Sequence, residues 1–263
     1  MLRVDTYPTA AEAARALGPG TRFLGGGSLV MIELNYGASD IDRIVRTSDP
    51  ELKEIRVEAG RVHLGALVSM SDVLNSRDLD FLAPVAQAVG GPAVRSAASV
   101  GGNLFAPHPY GDFSVALLAL DAMVQTADGV SHALEGYLAD RSGLVTSVSF
   151  AAPAGNTFAF RKVRRVRPKG ASVMSMACRL SRSAGRLSDV RVAYGAMGPT
   201  AVRAKAVEQA LEGATLDERG IAPALERATE GLDPPTDALA SSWYRKETAV
   251  VHLRRLLLAE DAR

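Results

Sequence analysis

The pattern of apolar and polar positions predicts a mixture of strands and helices in the first half of the chain. Strict alternation of apolar and polar residues predicts strands, and apolar residues three or four positions apart predict helices. Strands are predicted at 21–24, 40–47 and 144–150, with hairpins at 54–67 and 123–134. Helices are predicted at 9–18, 69–76, 81–90 and 112–122. The helix at 112–122 is apolar on nearly every side, which predicts that it is buried.

The second half begins after a Pro-Ala-Gly stretch at 153–155 and changes character. Three strand-like segments follow at short spacing and predict an antiparallel meander. Three helix-like segments then end the sequence. The predicted strands are at 158–166, 172–180 and 188–198, and the predicted helices at 201–213, 218–231 and 241–261. The pattern as a whole predicts an α+β protein: a mixed part of about 150 residues, then a sheet with a helical layer.

Composition and charge narrow the class of protein. The 263 residues hold 30 basic and 29 acidic side chains, so the basic excess typical of nucleic-acid binders is missing. The one cysteine, Cys178, lies in an apolar run and is expected to be a buried strand residue; one thiol cannot hold an iron–sulfur cluster. No apolar run reaches the ~20 residues of a membrane span, and the amino terminus does not read as a signal peptide. We therefore expect a cytoplasmic protein without a membrane span.

Two glycine stretches carry the candidate chemistry. FLGGGSL at 23–29 leads from a strand into an apolar segment, and SVGGN at 99–103 starts a loop that leads into the apolar helix. Glycine lets the backbone approach a ligand closely, and consecutive backbone N–H groups can form a nest for an anion. Each stretch alone is also compatible with a tight turn that needs small residues. Together they predict a cofactor with a pyrophosphate held between two loops, although neither matches the phosphate-loop or Rossmann signature.

The same residues carry a resemblance to a known family. SVGGNLFAPHPYGDFSVALLALDA at 99–122 resembles the second signature of the FAD-binding medium subunits of molybdenum hydroxylases, such as carbon monoxide and xanthine dehydrogenases. FLGGGSLVMIEL at 23–34 resembles the first signature. Three later stretches, at 160–178, 190–211 and 241–257, are also similar, so the resemblance spans nearly the whole chain in order.

The resemblance implies a fold and a domain division. The fold would be an α+β one: a two-part FAD-binding domain of the vanillyl-alcohol-oxidase (PCMH) type, then a small domain of antiparallel sheet plus helices. The FAD-binding domain would span 1–152, with subdomains of about 1–52 and 53–152, and the C-terminal domain 153–263.

The resemblance also implies the residues of an FAD site. The first loop would hold the pyrophosphate through backbone N–H groups and the Ser28 hydroxyl, and the second would complete the cradle. Asp112 would accept hydrogen bonds from a ribose or adenine group, or would cap the helix after it. The cofactor-binding set is Leu24, Gly25, Gly26, Gly27, Ser28, Leu29, Ser99, Val100, Gly101, Gly102, Asn103, His108, Asp112, Phe160, Lys162 and Lys169, with no catalytic and no metal-binding residue.

Four members of that set have alternative interpretations. His108 stands where the family usually has serine, and is either a neighbour of phosphate or flavin or a solvent-facing loop residue. Phe160 either shields the flavin ring or belongs to the core of its strand. Lys162 and Lys169 either tune the flavin potential by their charge or lie on a solvated or subunit-facing surface.

The implied function is electron transfer within a complex. Molybdopterin would lie on a large partner subunit and two [2Fe–2S] clusters on a small one, in a dimer of heterotrimers. Electrons would reach FAD on this chain and leave to NAD⁺, a quinone, oxygen or another acceptor. The alternatives are a free-standing FAD-dependent reductase or oxidase of the same fold, and a non-catalytic assembly subunit whose flavin site has decayed.

Overall fold

The structure is a computed structural model that describes residues 2–37, 40–166 and 170–259. These residues form three β-sheets with helices packed around them. The first is a parallel sheet in the order β1-β3-β2, and helices α1 and α2 belong to the same part of the chain. The third strand lies between the other two, and its adjacent residues Ile44 and Val45, which point to opposite faces of the sheet, are both buried. The bounds are β1 Arg3–Tyr7, α1 Ala10–Arg15, β2 Thr21–Phe23, α2 Val30–Asn35 and β3 Arg43–Thr47.

Helix α1 begins as the sequence predicts and ends earlier. The Thr9 hydroxyl accepts from the Glu12 amide, and the Glu12 carboxylate accepts from the Thr9 amide, which completes a capping box. The helix ends at Arg15, three residues before the predicted Gly18. Strand β1 was not predicted, because most of its side chains are exposed or half-buried and it carries little apolar signal.

The second sheet has five strands in the order β4-β5-β8-β6-β7. Both predicted hairpins are confirmed, and strand β8 lies between them. The strands are β4 Ile55–Glu58, β5 Arg61–Gly65, β6 Met123–Thr126, β7 Ser131–Ala133 and β8 Val145–Ala151. The helices are α3 Met70–Asn75, α4 Ala83–Ala88, α5 Pro92–Arg95, α6 Val100–Leu104, α7 Asp112–Ala119 and α8 Leu134–Asp140, with 3-10 turns at Pro50–Lys53 and Arg77–Leu82.

The third sheet is antiparallel, in the order β12-β11-β10-β9, and a helical layer covers one of its faces. The predicted meander and the predicted helices are therefore confirmed, except that Val202-Arg203 forms a short strand ahead of its helix. Cys178 lies buried on β10, as expected. The bounds are β9 Phe158–Val163, β10 Met174–Ser183, β11 Arg186–Gly195, β12 Val202–Arg203, α9 Lys205–Leu211, α10 Glu218–Glu226 and α11 Ser242–Leu257.

Helix α7 joins the second and third sheets. All eight of its residues are buried, as its apolar pattern predicts. One hydrophobic cluster contains the α7 side chains together with Val148 of β8, Ala177 of β10 and Ala193 of β11. The start of α7 therefore lies where the first half of the chain meets the C-terminal sheet, and this is the region of the second glycine stretch.

Within the described residues, no helix is long and apolar enough to cross a membrane.

Candidate functional site

The first glycine stretch is an irregular segment between β2 and α2. Leu24 is still attached to the sheet, since its amide donates to the Val45 carbonyl at 2.8 Å. The five amides that follow, from Gly25 to Leu29, donate to no acceptor among the residues that the structure describes. Gly25 is exposed, and the other four residues are half-buried. Consecutive amides that have no acceptor among the described residues and lie in exposed or half-buried residues are suited to an external acceptor such as an anion.

The two glycine stretches lie against each other. A Cβ on Gly26 would lie 1.4 Å from the carbonyl oxygen of Ala97, so only glycine allows this approach. A Cβ on Gly25 would lie 3.0 Å from the Ser99 hydroxyl oxygen, and one on Gly102 would lie 2.9 Å from the same oxygen. The Ser99 hydroxyl therefore lies between an exposed glycine of each stretch.

The second stretch is a helix and not the predicted loop. Ser99 is the N-cap of α6, and its hydroxyl accepts from the Gly102 amide at 3.2 Å. The amides of Val100 and Gly101 donate to the carbonyls of Val68 and Ala66. The expectation of a loop was wrong because a serine cap and tight packing on the end of β5 offset the low helix propensity of two glycines. Gly101 is buried against Ala66, whereas Gly102 is exposed.

Asn103 closes the loop that follows α6. Its Oδ1 accepts from the Ser114 amide at 3.1 Å, and its carbonyl accepts from the Ser114 hydroxyl at 3.0 Å. Residues 105–111 thus leave α6 and return to α7 beside the same asparagine. The Asn103 side chain is buried and holds the base of this loop.

Asp112 does not cap α7. The N-cap is Gly111, which has a φ of 99°, and Asp112 is the first helical residue. The cap interpretation was wrong because the Asp112 carboxylate points to β9 and the segment after it. Its Oδ2 accepts from the Lys162 ammonium at 2.6 Å, and its Oδ1 accepts from the Ser172 hydroxyl at 2.6 Å.

Lys162 is correspondingly buried, which contradicts the solvated interpretation. Its side chain is 8% exposed and that of Asp112 is 6% exposed. The ammonium also donates to the Ala88 carbonyl at 2.9 Å. A buried charge needs a partner and further hydrogen bonds, and both members of this pair have them. The pair joins the first half of the chain to the C-terminal sheet.

His108 is also joined to the C-terminal part, so the solvent-facing interpretation was wrong. Its Nε2 lies 2.6 Å from Asp237 Oδ2, and its side chain is 21% exposed. Arg245 of α11, which is fully buried, donates to the same carboxylate oxygen at 2.8 Å. Burial of the Asp237 carboxyl would raise its pKa, but its hydrogen bonds, the one from His108 foremost, hold that pKa well below the usual range.

The other predicted residues have different placements. Leu29 precedes α2 without a capping hydrogen bond from its side chain, Val100 is in the core, and Phe160 of β9 packs against the core that contains α7. Lys169 lies outside the described residues. The structure therefore brings Gly25, Ser99 and Gly102 together, and it places the Asp112–Lys162 and His108–Asp237 pairs at the junction with the C-terminal part.

Sequence reasoning missed Ser172, Asp237 and Arg245. One signal was present: Arg245 lies four residues before Ala249 on the apolar stripe of α11, where a charged side chain must be paired if it is buried. Ser172 and Asp237 carried no local signal, because their contacts with Asp112 and His108 span 60 and 129 positions of the sequence, respectively.

Comparison with known proteins finds relatives over most of the chain. Residues 1–141 match the family of the FAD-binding domain in molybdopterin dehydrogenase, and residues 158–259 match the C-terminal domain of the CO dehydrogenase flavoprotein. The chain is 26% identical over 246 residues to the glyceraldehyde dehydrogenase medium chain of Sulfolobus acidocaldarius, covering 88% of this chain and 87% of the relative. It is 26% identical over 268 residues to the carbon monoxide dehydrogenase medium chain of Hydrogenophaga pseudoflava, covering 94% and 91%.

The fold is shared with a solved structure of carbon monoxide dehydrogenase from Hydrogenophaga pseudoflava. The TM-score is 0.88 at 22% identity, over 97% of this chain and 96% of that one. This likeness confirms the expected α+β fold, with an FAD-binding part followed by a sheet-plus-helix part. Because the match to the FAD-binding family covers more than half of the chain and the flavoprotein C-terminal match follows it, the chain belongs to the FAD-binding medium subunits of the molybdenum hydroxylases and is an FAD-dependent oxidoreductase subunit.

Proposed function

We propose that this chain carries electrons from iron–sulfur clusters on a small partner subunit, through FAD, to an external acceptor, within a complex whose large subunit holds molybdopterin. FAD supplies the redox chemistry when it is bound, and the chain supplies the binding site and its electrostatics. The observation that carries the proposal is the run of amides from Gly25 to Leu29, which have no acceptor in the part of the chain that the structure describes, beside the exposed Gly102.

The residues present fit the pyrophosphate of FAD. Five consecutive N–H donors suit an anion with several acceptor oxygens, and the Ser28 hydroxyl adds a further donor group. Gly25 and Gly102 have no side chain on the exposed surface between the two stretches. At the second stretch the amides of Val100 and Gly101 are already used, so its contribution comes from Ser99 and from the bare surface of Gly102.

The proposed cradle does not include four residues of the predicted cofactor-binding set: Asp112, Lys162, Phe160 and His108. The Asp112–Lys162 pair already satisfies both charges, so its first effect is to hold the start of α7 against β9. The Asp112 oxygens retain lone pairs for a ribose or adenine donor, and Phe160 and Lys169 remain proposed neighbours of the flavin ring.

The domain division and the assembly are further parts of the proposal. The FAD-binding domain spans 1–152, with subdomains of about 1–52 and 53–152, and the C-terminal domain spans 153–263. The single cysteine supports clusters on another chain, since a [2Fe–2S] cluster needs about four protein ligands. The assembly is a dimer of heterotrimers in the cytoplasm, and the near-neutral charge balance supports a partner other than nucleic acid.

The first test is the visible absorption spectrum of the purified chain. We expect a flavin spectrum, and chromatography after heat denaturation should identify the released chromophore as FAD. A colourless protein that also fails to take up added FAD would overturn the proposal and favour an assembly subunit with a decayed site.

The second test addresses the complex. A tagged chain isolated from its source cells should carry about four irons and one molybdenum per FAD, because two [2Fe–2S] clusters hold four irons. Isolation of an FAD-containing chain free of both metals would favour a free-standing reductase or oxidase.

A further inference from the structure

We propose that His108 is a positioning residue for the FAD cradle: through Asp237 it fixes the loop at 105–111 to the C-terminal part of the chain, so that FAD affinity depends on a contact outside the cradle. This inference rests on the proposed function for its ligand. Its structural basis is two sets of contacts, one at the base of the loop and one at its tip.

The base of the loop is fixed within the first half of the chain. Asn103, directly after the exposed Gly102, is bound through its side chain and its carbonyl to Ser114 of α7. The amides of Phe105 and Ala106 donate back to the carbonyls of Gly102 and Asn103, respectively. A displacement of the loop would therefore also displace Gly102, which lies beside the Ser99 hydroxyl.

The tip of the loop is fixed from the other side. A carboxylate only accepts hydrogen bonds, so His108 Nε2 carries the proton and donates to Asp237 Oδ2 at 2.6 Å. His108 Nδ1 is buried and has no partner within the described part of the chain. The bond to Asp237 is thus the polar contact that sets the orientation of the ring.

Asp237 is itself held rigidly. Its Oδ1 accepts from the amides of Leu239 and Ala240 at 2.8 and 3.0 Å, and its Oδ2 accepts from Arg245. Arg245 also donates to the carbonyls of Val173 and Ala240, both at 2.9 Å. The tip of the loop is therefore connected through two charged residues to β10 and α11, neither of which contributes to the cradle.

The test compares FAD affinity and loop protection in three variants of the full chain, freed of flavin and titrated with FAD. In His108→Ala we expect the Kd for FAD to rise about tenfold, the effect of losing one hydrogen bond to a charged group. His108→Gln, whose amide can donate to Asp237, should recover most of that affinity. Lys205→Gln breaks an exposed ion pair with Glu135 between the same two parts of the chain. Among the described residues neither member of this pair has a hydrogen bond or ion pair with residues 105–111, so this variant should leave the Kd unchanged.

Hydrogen exchange of the amides at 104–111 gives a second readout. Protection of this segment should fall in His108→Ala, return in His108→Gln and stay unchanged in Lys205→Gln. Unchanged exchange in His108→Ala would overturn the inference, whether or not FAD binds. A wild-type chain that binds no FAD would overturn the proposed function, whereas wild-type binding with an unchanged Kd in His108→Ala would overturn only the inference.

Discussion

The ion pair between Asp112 and Lys162 should be the most sensitive polar contact of the fold. Its oxygen and nitrogen are 2.6 Å apart and both side chains are over nine-tenths buried. Lys162→Met keeps much of the apolar stem and removes the charge. The Asp112 carboxylate then remains buried with Ser172 as its remaining side-chain donor. Removing one partner of a buried pair costs about 3–5 kcal/mol of unfolding free energy.

This loss is large compared with the whole stability of the chain. Native proteins are stable by about 5–15 kcal/mol, so Lys162→Met should lie close to the limit of folding. Adding Asp112→Asn removes the unpaired charge, and the double variant should be less destabilised than the sum of the two single ones by about 2 kcal/mol. This coupling distinguishes loss of the pair from loss of packing around the lysine stem.

Urea unfolding at neutral pH, followed by circular dichroism in the absence of FAD, measures both quantities. Lys205→Gln is the matched control: its ion pair with Glu135 is exposed and should contribute no more than about 1 kcal/mol. A cost for Lys162→Met no larger than this control would refute the reasoning. Strict additivity in the double variant would refute it equally, since two uncoupled residues do not form an ion pair of consequence.

Three other features can be tested separately: the two glycine stretches, Tyr194 and Cys178. Gly102→Val should weaken FAD binding at least about a hundredfold at little cost in melting temperature, because its side chain would occupy the cradle surface. Gly26→Ala should instead destabilise the fold, because its Cβ would clash with the Ala97 carbonyl. Gly18→Ala is the control and should change neither FAD binding nor stability. Equal losses of stability at positions 26 and 102 would contradict the assignment of Gly26 to backbone packing and of Gly102 to the cradle surface. Tyr194→Phe should raise the unfolding free energy by about 1 kcal/mol, because the Tyr194 hydroxyl is buried without a partner among the described residues; a clear loss of stability would show that the hydroxyl is satisfied. Burial raises the pKa of Cys178 to about 12, so a thiol reagent at pH 8 should label it only at the rate of unfolding, and rapid labelling of the folded chain would contradict its burial.

Helices and strands were predictable where one face of the element is buried or where the whole element is buried. The alternation around Ala59-Gly60 and Asp128-Gly129 gave both hairpins, and the uniformly apolar helix from Asp112 gave the buried α7. In these segments the local pattern and the tertiary environment agree. Strand β1 was missed because it is mostly exposed, and helix α6 because two glycines conceal a capped and tightly packed turn.

The candidate site was only partly predictable, for a different reason. A glycine pair marks a place where side chains are excluded, but the sequence does not say whether a ligand or another backbone excludes them. The structure separates the two cases: Gly26 and Gly101 are required by Ala97 and Ala66, whereas Gly25 and Gly102 remain exposed. The family resemblance predicts which two stretches form the cradle, and the contacts divide the glycines within them between backbone packing and the exposed surface.

Two side chains that follow the second glycine stretch, His108 and Asp112, connect it to the C-terminal part of the chain. For both Asp112 and His108 one of the two sequence interpretations was a ligand contact, and the structure pairs them with Lys162 and Asp237, respectively. The segment from Asn103 to Asp112 is therefore attached to the C-terminal part at two points, while its glycine end faces the first stretch. Ordering a loop upon binding reduces affinity. A segment that is already ordered before the ligand binds therefore favours tighter binding at the cradle. We therefore expect the C-terminal part, by holding the segment in advance, to raise affinity for the proposed cofactor through contacts outside the cradle.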